Sequence, residues 1–250
     1  MAGKYEGKTA VITGASTGIG LAAAQQFVRE GGTAIITARS QAALDAAVKE
    51  LGPKAIALQS DAAKLEDIDA LASLAKSKFP NGVDFLFVNA GIAKFLPLEA
   101  VTPEFWDEQH DINVRGAYFT VQRFAPLLRS GAGVVLNTSV VDEKGMPGTS
   151  AYAASKAALR SLARTLASEL VGKGIRVNAV SPGPISTPIY DKLGLPADAR
   201  AGFEAQMREG NPMKRFGQSE EVARAALFLA FDASYTTGAE LPVDGGLTQL

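Results

Sequence analysis

Residues 8–31 read KTAVITGASTGIGLAAAQQFVREG. The first six positions form a short apolar, β-branched run. Gly14, Gly18 and Gly20 then crowd together, and from Leu21 the apolar residues recur at helical spacing. A strand, a glycine-rich turn and a helix in that order make the opening of a βαβ unit. Glycines at such a turn let the backbone approach a pyrophosphate. The helix that follows offers it free N–H groups and a positive dipole end. The spacing differs from the dinucleotide fingerprint G-x-G-x-x-G, and a glycine turn can also serve only to join a strand to a helix. Its position directly after the first strand is what points to a dinucleotide.

The rhythm continues along the chain. KTAVIT, TAIIT, KAIAL, VDFLFV, GVVLNTS and IRVNAVS are separated by helix-period stretches such as LDAAVKELG. Parallel strands buried on both faces are almost wholly apolar, which assigns VDFLFV and IRVNAV to central positions. Right-handed crossovers then predict an α/β fold: one doubly wound, Rossmann-type parallel sheet with helices on both faces, forming a single dinucleotide-binding and catalytic domain over 1–250. Residues 182–217, rich in proline and glycine, show no strand pattern. A segment of that length inside a domain reads as a substrate lid, at about 184–217.

Composition excludes several classes of function. The 25 lysines and arginines balance 26 aspartates and glutamates, with no basic run, so neither a nucleic acid nor an anionic membrane is expected as a partner. A small-molecule substrate is. With no cysteine and His110 as the single histidine, neither thiolate chemistry nor a histidine-built zinc site is available, and no metal is expected. The start of the chain shows no leader pattern and no apolar run reaches spanning length, which reads as a soluble, cytoplasmic protein.

Residues 150–170, SAYAASKAALRSLARTLASEL, carry a second signal. Leu159, Leu162, Leu166 and Leu170 form one helical stripe that, run backwards, reaches Lys156 and Tyr152. In a doubly wound fold the first turns of such a helix overhang the cleft at the carboxyl ends of the strands. Four residues apart, the ammonium and the phenol share a face. The expectation is that the ammonium lowers the phenol's pKa from about 10 and, together with a cationic nicotinamide, brings it near working pH, toward a tyrosine that exchanges a proton with a ketone oxygen. The simpler alternative is a packed phenol beside a snorkelling lysine.

TGASTGIG from Thr13, NAG from Asn89, NV at Asn113, Ser139 after the fifth strand, YAASK from Tyr152 and SPGPISTP from Ser181 occur in an order that resembles the short-chain dehydrogenase/reductase family, across nearly the whole chain. The resemblance implies that Gly14, Ser16, Thr17, Gly18, Ile19 and Gly20 hold the pyrophosphate. It places Asp61 and Ala62 at the adenine and Asn89, Ala90 and Gly91 on the cofactor floor. Pro182, Gly183, Ile185 and Thr187 would meet the nicotinamide. It makes Asn113, Ser139, Tyr152 and Lys156 the catalytic set: Ser139 orients the substrate oxygen, Lys156 also reaches the ribose, and Asn113 belongs to a water relay. It further implies a homo-oligomer, expected as a homotetramer.

At the end of the second strand, where this fold reads the ribose, stand Ala38 and Arg39. A carboxylate there would repel a 2′-phosphate, whereas an arginine fork matches one. NADP(H) is therefore favoured over NAD(H). Hydrophobic, bulky ketones and secondary alcohols are the expected substrates, because Phe95, Met146, Tyr190, Leu193, Leu195, Phe203 and Met207 promise an apolar wall, with Lys192 and Arg200 read as solvated. The same chemistry on a sugar, steroid or acyl thioester, or a non-catalytic dinucleotide-binding regulator, are the alternatives. His110, Phe105 and Trp106 read as surface, interface or core residues, and Ser219 as a helix cap.

Overall fold

The computed structural model describes residues 3–187 and 197–250, with side chains left out at 197–201 and 203. The expected lid residues Tyr190, Lys192, Leu193 and Leu195 and the side chains of Arg200 and Phe203 thus lie outside the described residues. From the N-terminus the elements run β1 (Thr9–Ile12), α1 (Gly18–Arg29), β2 (Thr33–Ala38), α2 (Gln41–Leu51), β3 (Ala55–Gln59), α3 (Leu65–Lys78) and β4 (Val83–Val88). There follow α4 (Pro103–His110), a π-helical turn (Asp111–Gly116), α5 (Ala117–Phe124), β5 (Leu128–Asn137), a 3-10 turn (Val140–Asp142), α6 (Ser150–Leu170) and β6 (Arg176–Pro182). The chain closes with β7 (Ile185–Ser186), α7 (Ala197–Gly210), β8 (Gly217–Gln218), α8 (Ser219–Leu227) and β9 (Glu240–Val243).

The main sheet has seven strands in the order β3-β2-β1-β4-β5-β6-β9, every pair parallel. Strand side chains alternate between faces, so each strand feeds two cores. Ala10, Ile12, Ile36, Phe85, Phe87 and Val135 pack against α1, α2 and α8 on one face. Val11, Ile35, Leu86, Val134 and Leu136 pack against α3, α5 and α6 on the other. All six residues of β4 are buried, the pattern expected of a strand covered on both sides. The chain winds outward from β1 through β2 and β3, then returns and winds the other way from β4. The carboxyl ends of β1 and β4 therefore diverge into a crevice.

Three expectations need correction. Glu240–Val243 forms a seventh strand, β9, which pairs with β6. Only Leu241 and Val243 of its four residues are apolar and not proline, too few to show a period. The stretch 182–217 contains two short strands after all: Ile185–Ser186 pairs in parallel with Gly217–Gln218. A strand two residues long has no sequence period to detect. Finally, α8 is capped one residue earlier than expected. Gln218 is its N-cap and Glu221 accepts from the Gln218 backbone N–H at 2.8 Å, so Ser219 is the first helical residue.

Candidate active site

The crevice holds a cavity of about 490 Å3 that runs from Arg39 at the end of β2, past the glycine turn, to Tyr152 on α6. Its first part is made of backbone. Thr17, the N-cap of α1, makes no side-chain capping bond, and the first turn carries no acid, so the helix presents uncapped N–H groups. Gly14 has φ +64°, and a Cβ there would lie 2.8 Å from the Ala90 Cα, so only glycine permits this approach of the turn to β4. Gly14, Thr17, Gly18 and Ile19 line the cavity, and Thr187 lies over Gly18. Ser16 and Gly20 belong to the same turn without lining it.

Asn89 braces this arrangement. Its side-chain amide donates to the carbonyls of Thr13 and Gly14 at 3.0 and 2.9 Å, and the Thr13 hydroxyl accepts from the backbone N–H groups of Asn89 and Ala90. Thr13 is a site residue that the sequence reading passed over, although it sits between strand and glycine where such a clamp is needed. Asn89, Ala90 and Gly91 form the cavity floor, and Pro182, Gly183 and Ile185 line it from the opposite side. The C-terminal turn packs beneath them on its own chain. The Gly183 backbone N–H donates to the Val243 carbonyl, and Asp244 accepts from the N–H groups of Gly246 and Thr248.

Arg39 is exposed at the cavity mouth and makes no ion pair among the described residues, while its carbonyl accepts from Gln59 Nε2 at 2.8 Å. Asp61 and Ala62 follow β3 and do not line the cavity. Asp61 is held by its own turn, its carboxylate accepting from the Ala63 N–H at 3.0 Å.

The other end carries the side-chain chemistry. Leu159, Leu166 and Leu170 are buried and Leu162 packs beside them, while Tyr152 and Lys156, at the start of the same stripe, turn into the cavity. Lys156 Nζ donates to the Asn137 carbonyl at 2.7 Å and lies 5.8 Å from the centre of the Tyr152 ring. Ser139 follows β5 in extended backbone, lines the cavity with Tyr152, and acts on the phenol to favour its charged form. Asn137 is a second residue the sequence reading missed: its backbone carbonyl anchors the lysine, a contact any residue type could supply, while its side-chain amide donates to Asn89 Oδ1 at 2.9 Å. Asn113 lies in the π-helical turn between α4 and α5, behind the floor. Its amide donates to the Ile92 carbonyl and to Ser155 Oγ, both at 3.0 Å, and its oxygen accepts from the Ile92 N–H at 2.9 Å. A Cβ on Gly91 would lie 3.0 Å from Asn113 Oδ1 and 3.5 Å from Lys156 Nζ, so the two polar heads border one narrow gap.

The electrostatics differ from the expected lowering of the phenol by the ammonium. Burial dominates and pushes Tyr152 up to about 12, with the Ser139 hydroxyl as the opposing influence. The same burial holds Lys156 down to about 8. At 5.8 Å from the ring, in a pocket that penalises both charges, the lysine does not offset the loss of water around the phenol. Around this end the wall is formed by Phe95, Met146, Val140, Val141 and Met207, with the Phe95 ring 5.9 Å from that of Tyr152. Two charges stand at the rim, and Lys94 and Glu108 pair with each other. His110 takes no part: it stacks on Trp106 at 4.1 Å, and Trp106 is 40 % exposed and thus not a core residue.

A model of the family described as enoyl-(acyl carrier protein) reductase matches residues 14–248. The oxidoreductase asL5 of Sarocladium schorii is 42 % identical over 250 residues, covering 99 % of this chain and 98 % of its own. The 3beta-hydroxysteroid dehydrogenase 1 of Eggerthella lenta is 41 % identical, over 97 % of this chain and 94 % of its own. A 3-oxoacyl-(acyl-carrier-protein) reductase of Thermotoga maritima is 38 % identical, over 98 % and 99 %. Among solved structures, a short-chain dehydrogenase/reductase of the glucose/ribitol dehydrogenase type from Brucella melitensis superposes with a TM-score of 0.92 at 31 % identity, covering 100 % of both chains.

Proposed function

The chain belongs to the short-chain dehydrogenase/reductase family of oxidoreductases, and from that premise we propose that it interconverts hydrophobic, bulky ketones and secondary alcohols with NADP(H) as cofactor. One observation carries the reading. Tyr152, Ser139 and Lys156 converge on the apolar-walled end of a cavity whose far end is Arg39.

The fit of a dinucleotide rests on the uncapped N-terminus of α1 and on the Gly14 turn, where any Cβ would fill the space against Ala90. Gly14, Ser16, Thr17, Gly18, Ile19 and Gly20 would hold its pyrophosphate. Asn89 to Gly91 would lie beneath it, Asp61 and Ala62 beside the adenine, and Pro182, Gly183, Ile185 and Thr187 at the nicotinamide. Arg39, whose guanidinium makes no ion pair among the described residues, would pair with the 2′-phosphate. When bound, the nicotinamide supplies or accepts the hydride.

The protein's own contribution is the proton and the orientation of the carbonyl. The substrate oxygen would accept from the Ser139 hydroxyl and the Tyr152 phenol, and Tyr152 gives its proton as negative charge develops there. A phenol that burial keeps protonated is matched to that donor role. Lys156, fixed by the Asn137 carbonyl, supplies positive charge beside the phenol and would reach the cofactor ribose. Asn113, across the gap from Lys156, would hold the water that restores the proton.

An absorbance assay at the reduced-nicotinamide band, with NADPH and NADH against ketones of graded size, tests this reading. Inactivity on every substrate class would favour the dinucleotide-binding regulator. A second reading, reduction of an acyl thioester or a steroid, is favoured by the relatives named for those substrates, and the same panel separates it. We also propose a homotetramer, supported by the exposed apolar side chains Trp106, Tyr118, Val171 and Phe228. Light scattering at micromolar concentration checks it, and a monomer would count against it.

A further inference from the structure

Asp142 closes the 3-10 turn that begins directly after Ser139, and both its carboxyl oxygens are out of contact with water with no donor among the described residues. The group it faces closely enough to share a hydrogen bond is another acid, Glu240, at the start of β9. Glu240 is already engaged. Thr138 Oγ1 donates to its Oε1, and Arg160 Nε pairs with its Oε2 at 2.9 Å, with the Glu240 side chain 6 % exposed and that of Arg160 18 %. The remaining groups that act on Asp142 are Glu143, next in the chain, and Arg160 from α6. Asp142 in turn is a charge that acts on both Tyr152 and Lys156. Asp142 and Glu240 thus share one guanidinium, and that guanidinium is paired with Glu240. Two bare carboxylates in contact inside the protein repel, and they leave buried acceptors without donors. One proton between them removes both faults at once.

We propose that Asp142 is a positioning residue that holds a proton at neutral pH and donates it to Glu240, latching the Ser139 turn onto β9, and that loss of this proton releases the turn. The inference rests on the role proposed above for Ser139. Burial and the neighbouring Glu240 hold the Asp142 carboxyl up at about 8, far above the ordinary 3.8. The sign follows. Between those values the folded protein keeps a proton that the unfolded chain has lost, so this group's contribution to stability falls as pH rises through about 8. Once charged, Asp142 also favours the protonated forms of both Tyr152 and Lys156, which couples the latch to the proton donor.

Asp142→Asn keeps a donor toward Glu240 that does not titrate. Wild type and Asp142→Asn are compared between pH 5 and 9 by thermal unfolding and by amide hydrogen exchange across 139–142, corrected for the intrinsic exchange rate. As pH rises from 5 to about 8 the wild type is expected to lose melting temperature, and its turn to exchange faster as Asp142 ionises, whereas above about 8 Lys156 adds stability with pH in both proteins alike. Asp142→Asn should show neither change and should melt higher than wild type at pH 9. Glu240→Gln, which removes the neighbouring charge that holds the proton on Asp142, should move the decline toward lower pH; a decline left at the wild-type pH would overturn the pairing with Glu240. In ketone reduction, the alkaline loss of kcat in the wild type should be reduced several-fold in Asp142→Asn. Equal pH slopes for wild type and Asp142→Asn in unfolding and exchange overturn the latch; equal slopes in kcat alone overturn its role in positioning Ser139. A wild type without turnover on any substrate defeats the proposed reaction instead, and the first two measurements still decide the latch.

Discussion

Replacing Arg39 by alanine isolates the choice of cofactor. Arg39 is exposed, and its guanidinium makes no ion pair among the described residues, so its loss should cost the fold no more than about 0.5 kcal/mol. Whatever changes in binding then reports on the dinucleotide alone. A charge-assisted bond contributes roughly 1.5–3 kcal/mol, and exposure at the cavity mouth argues for the lower part of that range. The preference for NADPH over NADH should therefore fall by about tenfold. Titration of each reduced cofactor by fluorescence gives the two dissociation constants, and thermal unfolding confirms that the fold is intact. Arg39→Lys should recover part of the preference, because it keeps the charge and loses the fork, and its recovery should fade with added salt. Equal weakening of NADPH and NADH in Arg39→Ala would refute the 2′-phosphate assignment.

Tyr152→Phe should leave NADPH binding within about twofold and remove turnover, since the ring still packs against Phe95 while the donor is gone; a near-normal rate in a steady-state assay would refute proton transfer. Ser139→Ala should lower kcat by roughly 100-fold or more without abolishing it, which single-turnover kinetics would resolve. Lys156→Met should abolish activity yet reduce the pH dependence of stability. The wild-type lysine is held down to about 8 from 10.5, so the folded protein binds fewer protons between those values and the wild type gains stability as pH rises across that window, on the order of 3 kcal/mol before the lost bond to Asn137 is counted. Thermal melts from pH 7 to 10 check it, and an unchanged slope in the variant would contradict it. An aryl ketone should exceed acetone in kcat/KM by at least about tenfold, because burying the ring against Phe95, Met146 and Met207 contributes roughly 1.5–3 kcal/mol; acetone as the best substrate would overturn the apolar-wall reading.

The sheet was legible where a strand was long enough to show its environment. VDFLFV declares a doubly covered strand because five of its six residues are apolar and face the two cores, Asp84 being held instead by Thr9, Lys8 and Arg129, and the observed β4 has those bounds. The alternation of such runs with helical spacing was enough to give a doubly wound parallel sheet with helices on both faces, since handedness leaves few alternatives. β9, β7 and β8 were not legible for a physical reason. Their four, two and two residues derive their conformation from the neighbouring strand, β6 for the first and each other for the remaining two. The cap of α8 was misplaced by one residue because Gln218 and Ser219 can both serve, and the choice falls to Glu221 reaching back to the Gln218 N–H.

The candidate site divides in the same way. Tyr152 and Lys156 could be paired from sequence because a helix fixes which residues share a face, and the same rule placed the leucines behind them. What the rule cannot supply is the medium between the two heads. At a given separation the lysine's pull on the phenol depends on how much water both have lost, and that is decided by the carbonyl of Asn137, the wall at Phe95 and the closed turn after Ser139. None of these is near the pair in sequence, and together they reverse the expected direction, raising the phenol and lowering the amine. A neutral acid and a readily discharged base in one apolar pocket respond strongly to any charge brought beside them, because little solvent remains to screen it. The pocket is therefore tuned less by Lys156 alone than by whatever charge arrives on the Gly91 side or is exposed at Asp142, and the pH dependence of turnover should follow those two neighbours.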